Sequence, residues 1–250
     1  MTDRIAVAGG TGVVGRHVVD ALTESGCEPL VLARSTGVDL VRGAGLDAAL
    51  RDVRAVVDVS NVATQRRQAA VGFFTAATTA LLAAGVRAGV RHHVVLSIVG
   101  VDRVDTGYYA GKRAQEELVL AGDVPATVLR ATQFHEFAEQ VLSDARGPVA
   151  PVPSMRVQPV AAREVGEHLA ELALAAPQGR VPELAGPDVH DLTDLVHRVL
   201  RARGSRRLVV PLRGPTAASR AVVGGALLPT GPGPRGRQTF EQWLQAEVRG

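Results

Sequence analysis

The sequence predicts a doubly wound α/β fold, in which helices cover both faces of a parallel sheet. Three observations support this fold class. Short apolar runs alternate with segments of helical periodicity, the first run ends in a cluster of glycines, and small or polar residues follow the ends of several runs. Runs that are apolar on both faces are typical of buried parallel strands. Ligands of such sheets bind beyond the carboxyl ends of the strands, so we expect the functional residues there.

A glycine-rich turn joins the first predicted strand, 5–8, to the first predicted helix. Val14, Val18 and Leu22 are spaced as on the buried face of that helix. A helix N-terminus attracts phosphate, and glycine lets the backbone approach a pyrophosphate closely. The turn therefore predicts a nucleotide site, with a tight turn that binds nothing as the alternative. Its candidate cofactor-binding residues are Gly9, Gly10, Thr11, Gly12, Val13, Val14 and Gly15.

The second predicted strand, 28–33, ends in Arg34 and Ser35. In dinucleotide-binding folds the end of this strand faces the adenine ribose, where an acid suits the 2′-hydroxyl and an arginine suits a 2′-phosphate. No acid stands at this position, and a guanidinium makes strong contacts to phosphate. Arg34 and Ser35 therefore favour NADP, with NAD as the alternative cofactor and a solvated loop arginine as the alternative interpretation of Arg34.

The alternation of strands and helices continues to about residue 130. The candidate functional residues of this stretch are Asn61, just after one buried strand, and Ser97, near the carboxyl end of the next. We expect both at the cofactor-binding edge of the sheet. The predicted elements are a short strand at 37–41, a short helix at 46–50, strands at 55–59, 91–99 and 125–130, and a long buried helix at 68–84.

The chain contains one lysine and two tyrosines, and all three lie within residues 108–112. Tyr108 and Lys112 are four residues apart, so they share one face of the predicted helix. A phenol normally has a pKa of about 10, and a nearby ammonium lowers that pKa. This pair predicts a tyrosine that exchanges protons with a substrate oxygen. The alternatives are an exposed helix pair without a function, and Tyr109 in the place of Tyr108.

Residues that follow the strand at 125–130 are candidate substrate contacts, because they lie just past a strand end. They are Gln133, Phe134 and His135, to which the neighbouring Tyr109 is added. A capping or core role for His135 is the alternative.

We predict a dinucleotide-binding core at 1–147 and a small substrate-binding lobe at 148–250. Beyond residue 147 prolines interrupt short extended pieces, and amphipathic helices follow at 163–175, 191–203 and 240–248. Residues 231–234 read Gly-Pro-Gly-Pro, which predicts a mobile linker before the last helix.

Composition limits the classes of function. Of all residues, 46% are apolar and 21% are charged, the net charge is only +3 and aromatic residues make up 3%, so we expect no nucleic-acid partner. The single cysteine suits a reducing cytoplasm, the expected location. No apolar run is expected to span a bilayer and no signal peptide is visible, so we expect no membrane partner. The seven histidines show no metal-ligand spacing, so no metal site is predicted.

Four segments resemble the short-chain dehydrogenase/reductase superfamily, in its atypical branch near the NmrA-like and NAD(P)H-binding proteins. They are AGGTGVVG at 8–15, LSIVGVD at 96–102, YYAGK at 108–112 and LRATQFHEF at 129–137. The resemblance implies a Rossmann core, a bound nicotinamide cofactor and a homodimer. It implies Tyr108 as proton donor or acceptor and Ser97 as the residue that orients the substrate carbonyl. Lys112 would bind the nicotinamide ribose and lower the pKa of the tyrosine.

The leading hypothesis is an NADP-dependent oxidoreductase that acts on a carbonyl or alcohol of a small organic molecule. The nicotinamide would exchange the hydride with carbon, and Tyr108 would handle the proton on oxygen. Two alternatives are an NADP(H)-sensing regulatory protein without turnover and an epimerase or dehydratase of the same fold. A sensor needs no proton donor, so the pairing of Tyr108 with Lys112 favours an enzyme.

Overall fold

The computed structural model describes residues 2–145 and 147–249. The strands in these residues are β1 (Arg4–Ala8), β2 (Glu28–Leu32), β3 (Ala55–Asp58), β4 (His92–Ile98), β5 (Ala126–Ala131), β6 (Val149–Pro153), β7 (Arg156–Val157), β8 (Gly179–Arg180), β9 (His190–Asp191) and β10 (Leu208–Leu212). The α-helices in them are α1 (Val13–Glu24), α2 (Leu46–Ala49), α3 (Arg67–Ala88), α4 (Gly107–Ala121), α5 (Phe137–Asp144), α6 (Ala162–Leu174), α7 (Leu192–Ala202), α8 (Ala217–Val223) and α9 (Phe240–Arg249).

The main sheet has six parallel strands in the order β2-β1-β3-β4-β5-β8. The chain passes from β1 outward to β2 and then returns to place β3 on the other side of β1. This reversal of strand order opens a crevice beyond the carboxyl ends of β1 and β3, where ligands of such sheets bind. The predicted doubly wound α/β fold is confirmed.

Alternate residues of each strand supply the two cores on either side of the sheet. Ile5 and Val7 of β1 pack with α1 and α6, whereas Ala6 and Ala8 pack with α2 and α3. Successive side chains of a strand point to opposite faces, so a run that is apolar throughout must be covered on both sides. The sequence IAVA therefore forms a central strand.

Residues beyond 147 contribute to two hydrophobic cores. Helix α6 packs on the sheet beside α1, and β8 pairs with β5. A second hydrophobic cluster joins α5, β6, α7, β10 and α9 around buried Leu195, Phe240 and Trp243. The division at residue 147 stays a prediction, and the sheet's own core extends past it to α6 and β8.

The predicted strand at 37–41 is wrong. A 3₁₀ helix covers residues 34–36, and a single antiparallel bridge joins Asp39 to Ala44. Gly37, Gly43 and Gly45 all have positive φ, so the backbone turns repeatedly where an extended strand was expected. Such left-handed positions cannot belong to a regular strand, although the residues between them are apolar enough for one.

Helix α3 overturns the expectation that no apolar segment is long enough to span a bilayer. It has 22 residues, with a mean hydropathy of 1.7 in its most apolar part, so by length and composition it passes that test. In the structure Phe74 and Leu81 are fully buried, and Gly111 of α4 approaches the α3 backbone. The helix therefore packs on the sheet and on α4 along one side, and 39% of its most apolar part is buried.

The predicted mobile linker at 231–234 runs beside the chain that follows β8. The Ala185 N–H donates to Pro234 O at 3.3 Å, and a parallel bridge joins Ala185 to Arg235. A Cβ on Gly233 would lie 2.4 Å from Glu183 O, so this glycine allows a close backbone approach. The segment is therefore bound to the molecule by backbone contacts.

Candidate active site

The glycine-rich loop, residues 9–15, carries the chain from β1 into α1. Gly9 has a φ of +80° and lies against the end of β3, where an added Cβ would be 2.8 Å from Val59 O. An added Cβ on Gly15 would be 2.1 Å from Gly9 O, whereas one on Gly12 would meet only Gly9 O, at 3.2 Å. The first and last glycines therefore serve the packing of the loop, and Gly12 faces open space.

The N-terminus of α1 presents free donors to that open space. The N–H groups of Thr11, Val13, Val14 and Gly15 have no acceptor within the part of the chain that the structure describes, and no side chain caps the helix. Thr11 and Gly12 are exposed and Val13 is 44% exposed, whereas the Val14 side chain lies in the core. Val14 can therefore contribute only its backbone. These free donors and the helix dipole fit a diphosphate.

Arg34 and Ser35 lie in the 3₁₀ turn that follows β2, at the carboxyl edge of the sheet. Both side chains are exposed. This is the place at which the sequence predicts contacts to an adenine ribose phosphate, and no described part of the protein covers either residue there.

Tyr108 and Asn61 meet at the same edge of the sheet. The Tyr108 hydroxyl donates to Asn61 Oδ1 at 2.6 Å, and its ring contacts the edge of Phe74 with the ring centroids 5.8 Å apart. Asn61 follows β3, whose end touches the glycine-rich loop at Gly9. The side chain of Thr106 caps α4, which fixes the first turn that carries the tyrosine. The structure thus brings two predicted site residues together.

Lys112 is directed into the protein. It is 4% exposed, and its ammonium donates to Leu96 O at 2.6 Å and to Gln115 Oε1. Burial lowers the pKa of Lys112 to about 8. Burial, followed by the neighbouring Tyr109, raises the pKa of Tyr108 to about 12. Desolvation of the phenol dominates in this structure, so the net pKa of Tyr108 is raised, and the role of Lys112 in favouring the phenolate stays a prediction.

Ser97 lies in the buried layer between β4 and α4. It is 2% exposed, and its hydroxyl lies close enough to a carboxylate to help lower the pKa of that group. The nearby carboxylate is that of Glu116, which Arg130 binds through two hydrogen bonds of 2.9 and 2.8 Å. A catalytic role for Ser97 stays a prediction, and no contact joins it to Tyr108.

The four candidate substrate contacts lie in different surroundings. The side-chain amide of Gln133 is shielded from solvent, and neither its N nor its O has a partner within residues 2–145 and 147–249. Phe134 packs on the core of the sheet, and Tyr109 packs on the C-terminal hydrophobic cluster. His135 Nε2 donates to Gln238 O at 3.1 Å, and its ring contacts Phe240 and Trp243. Gln133 is the residue of this set whose polar side chain offers both an unused donor and an unused acceptor.

His135 gives a prediction about stability in acid. Its side chain is 1% exposed, and burial lowers its pKa from 6.5 to about 4. Between those two pH values the unfolded chain binds a proton that the folded protein does not, so stability falls as the pH falls through this window. A shift of that size corresponds to about 3 kcal/mol. Urea unfolding of His135→Gln at a series of pH values should show a shallower loss of stability in acid.

His197→Gln is the matched control, because His197 is exposed on α7. Its acid dependence should follow that of the unmodified protein. A His135→Gln protein that loses stability in acid as steeply as the unmodified one would contradict the prediction.

Two polar residues of the site region were not predicted from the sequence. Asp58 is the last residue of β3 and is fully buried, and Gln115 on α4 is also fully buried. An acid inside the apolar run AVVDV was the available signal, because a carboxylate is almost never buried without a partner. Gln115 stands three residues after Lys112, a spacing that places both on one helix face.

No protein-family model matches the chain. A (4-alkanoyl-5-oxo-2,5-dihydrofuran-3-yl)methyl phosphate reductase of Streptomyces griseus is 35% identical over 144 residues, which are 52% of this chain and 48% of that protein. A ceramide reductase of Caulobacter vibrioides is 28% identical over 168 residues, which are 59% of this chain and 53% of that protein. The chain thus spans about half the length of the curated relatives that it matches.

Solved structures match over nearly the whole chain. MoeE5 in complex with UDP-glucose and NAD superposes with a TM-score of 0.74 and 17% identity, covering 98% of this chain and 97% of that one. A short-chain dehydrogenase/reductase superfamily protein from Agrobacterium tumefaciens with bound NAD gives a TM-score of 0.70 and 20% identity, covering 98% and 96%. The chain therefore has the fold of these short-chain dehydrogenase/reductase structures, in agreement with the superfamily that its motifs resemble, and the NmrA-like branch stays a prediction.

Proposed function

We propose that this protein is an NADP-dependent oxidoreductase that reduces a carbonyl group of a small organic molecule. The observation that carries the proposal is the position of Tyr108, whose hydroxyl lies 2.6 Å from Asn61 Oδ1 beside the glycine-rich loop. A phenol at the carboxyl edge of a dinucleotide-binding sheet can reach the oxygen of a substrate held there. Both curated relatives are named as reductases, which supports the same direction of reaction.

The residues present fit a nicotinamide dinucleotide. Gly12 leaves room for a diphosphate at the open N-terminus of α1, and the exposed Arg34 lies where a 2′-phosphate would be expected. When bound, the cofactor supplies the hydride that the carbonyl carbon accepts. Asn61 and the loop would hold the dinucleotide. The protein otherwise contributes by positioning the cofactor against the substrate and by the electrostatics of the site.

Tyr108 suits the donation of a proton. Its raised pKa, about 12, keeps the phenol protonated at neutral pH, so the hydroxyl has a proton to give to the oxygen of a carbonyl that is being reduced. The oxygen becomes the hydroxyl of the product, and the phenolate left behind regains a proton from water. Lys112, on the same helix, is the cation that favours this phenolate. Gln133 can orient a polar substrate group, because its amide has an unused donor and an unused acceptor.

Binding and turnover test the proposal in one purified sample. Calorimetry on the ligand-free protein should detect NADPH binding in the micromolar range. The absorbance of the reduced nicotinamide should then fall when aldehydes, ketones or an alkanoyl lactone are added. Binding without turnover across this panel favours the sensing alternative, and conversion without net loss of reduced cofactor favours an epimerase or dehydratase. A protein that binds neither NADPH nor NADH contradicts the proposal.

Arg34 gives a prediction about the choice between cofactors. In Arg34→Ala the affinity for NADPH should fall roughly 10- to 100-fold, because a hydrogen bond to a charged group contributes about 1.5–3 kcal/mol. The affinity for NADH should stay unchanged, since it has no 2′-phosphate. Calorimetric titration with each cofactor measures both values. Arg42→Ala, a change of another exposed arginine, is the control. An equal loss of affinity for NADPH and NADH in Arg34→Ala would contradict the assignment of Arg34 to the 2′-phosphate.

A further inference from the structure

A chain of buried polar side chains joins Lys112 to the end of β3. The Lys112 ammonium donates to Gln115 Oε1, and Gln115 Nε2 donates to Asp58 Oδ2 at 2.8 Å. Asp58 Oδ1 accepts from the Ser60 N–H at 2.9 Å. Lys112 is 4% exposed and the side chains of Gln115 and Asp58 are fully buried. The contacts form a water-excluded path between two charged groups of opposite sign.

The glutamine between these charges has a fixed orientation. Its amide oxygen faces the ammonium and its amide nitrogen faces the carboxylate, and a reversed amide would place donors against the ammonium and acceptors against the carboxylate. An isolated buried ammonium or carboxylate is strongly disfavoured, whereas a paired and hydrogen-bonded one is tolerated. Gln115 therefore lets Asp58 and Lys112 neutralise each other without direct contact.

Other charged groups near Lys112 have partners of their own. Glu116, one residue further along α4, is bound twice by Arg130 and is approached by Arg180 at 3.5 Å. His93 Nε2 lies 4.0 Å from Asp58 Oδ2, but burial lowers the pKa of this histidine, so it offers no lasting positive charge. The groups that face Lys112 are Asp58 from β3, Phe74 from α3, Leu96 from β4, and Gln115 and Glu116 from α4.

We propose that Asp58 and Gln115 are positioning residues that hold the Lys112 ammonium charged and oriented. The inference rests on the proposed function, in which Lys112 supports the proton donor. The end of β3 then orients both members of the pair, because Asn61 accepts from Tyr108 and Asp58 reaches Lys112 through Gln115. Asp58 contacts neither Tyr108 nor Lys112 directly, so it acts on Lys112 through Gln115.

The single lysine of the sequence makes this inference directly measurable. Protein labelled with ¹³C at lysine Cε gives one side-chain resonance, and its pH titration reports the pKa of Lys112 in the ligand-free protein. Asp58→Asn and Gln115→Met keep the size of each side chain but remove the charge or the hydrogen bonds. In both variants the pKa of Lys112 should fall by roughly one unit, because an opposite charge that favoured the ammonium is lost or misplaced. Glu117→Gln, exposed on the same helix, is the matched control.

The same variants should move the pH profile of turnover in step with the lysine titration. A lysine pKa that stays as in the unmodified protein in both variants would overturn the inference. So would a lysine of the unmodified protein that is already neutral at pH 7, a result that needs no variant to fold. If the variants shift the lysine pKa but the unmodified protein binds no nicotinamide cofactor, the proposed function fails and the positioning role stands.

Discussion

Tyr108→Phe is expected to reduce kcat for carbonyl reduction roughly 100- to 10,000-fold, the usual contribution of a positioned proton donor. The change removes only the hydroxyl that donates to Asn61 Oδ1, and the ring can keep its edge contact with Phe74. The fold and the glycine-rich loop should be unaffected. Steady-state kinetics should therefore show a loss in kcat, while calorimetry shows NADPH affinity close to that of the unmodified protein.

Tyr109→Phe is the matched control for this prediction. Tyr109 is the next residue on α4, its pKa is also raised to about 12 by burial, and its ring packs on the C-terminal hydrophobic cluster. The same chemical change at this position should leave kcat within a few-fold of the starting value. Equal losses in the two variants, or full turnover by Tyr108→Phe, would mean that Tyr108 is not the proton donor.

Gly15→Ala is expected to weaken NADPH binding roughly 10- to 100-fold and to destabilise the protein by about 1–3 kcal/mol. The new Cβ would lie 2.1 Å from Gly9 O and 2.7 Å from Gly10 Cα, and both of these are backbone atoms of the loop. The start of α1 must then move away from the loop, which displaces the donors that face the diphosphate. Urea unfolding and calorimetry measure the two effects.

Gly12→Ala separates the packing of the loop from the binding of the cofactor. Gly12 has a φ of −79°, which alanine adopts freely, and its new Cβ would meet only Gly9 O at 3.2 Å. Stability should therefore stay close to that of the unmodified protein, while NADPH affinity falls because the methyl group occupies the open side of the loop. A Gly15→Ala protein that binds NADPH normally would contradict the proposed site.

Local patterns predicted most of the elements of the Rossmann core. The periodicity of residues 68–84 indicates the long helix α3, which in the structure runs to Ala88 and ends at Gly89 with a φ of +72°. The same patterns failed at 37–41, where glycines with positive φ replace the strand. Apolar content alone does not distinguish a short strand from a turn whose direction is set by glycine.

Which functional residues meet was predictable only in part. Asn61 was expected at the carboxyl edge of the sheet because it follows a parallel strand, and the structure places the Tyr108 hydroxyl against it. The inward direction of Lys112 was not predictable from its spacing to Tyr108. The direction of a long side chain on a helix face depends on the acceptors within its reach, here Leu96 O of β4 and the amide of Gln115, which itself binds Asp58 of β3.

The sequence by itself determined the fold class, the glycine-rich loop and the identity of the tyrosine–lysine pair, because these depend on short-range patterns that the backbone must follow. The tertiary structure alone decided how the pair is arranged: Tyr108 hydrogen-bonds Asn61, and Lys112 is linked through Gln115 to Asp58. Burial sets the pKa values of both groups, and it depends on elements far apart in the chain. Desolvation of this kind has no signature in the spacing of residues along one helix.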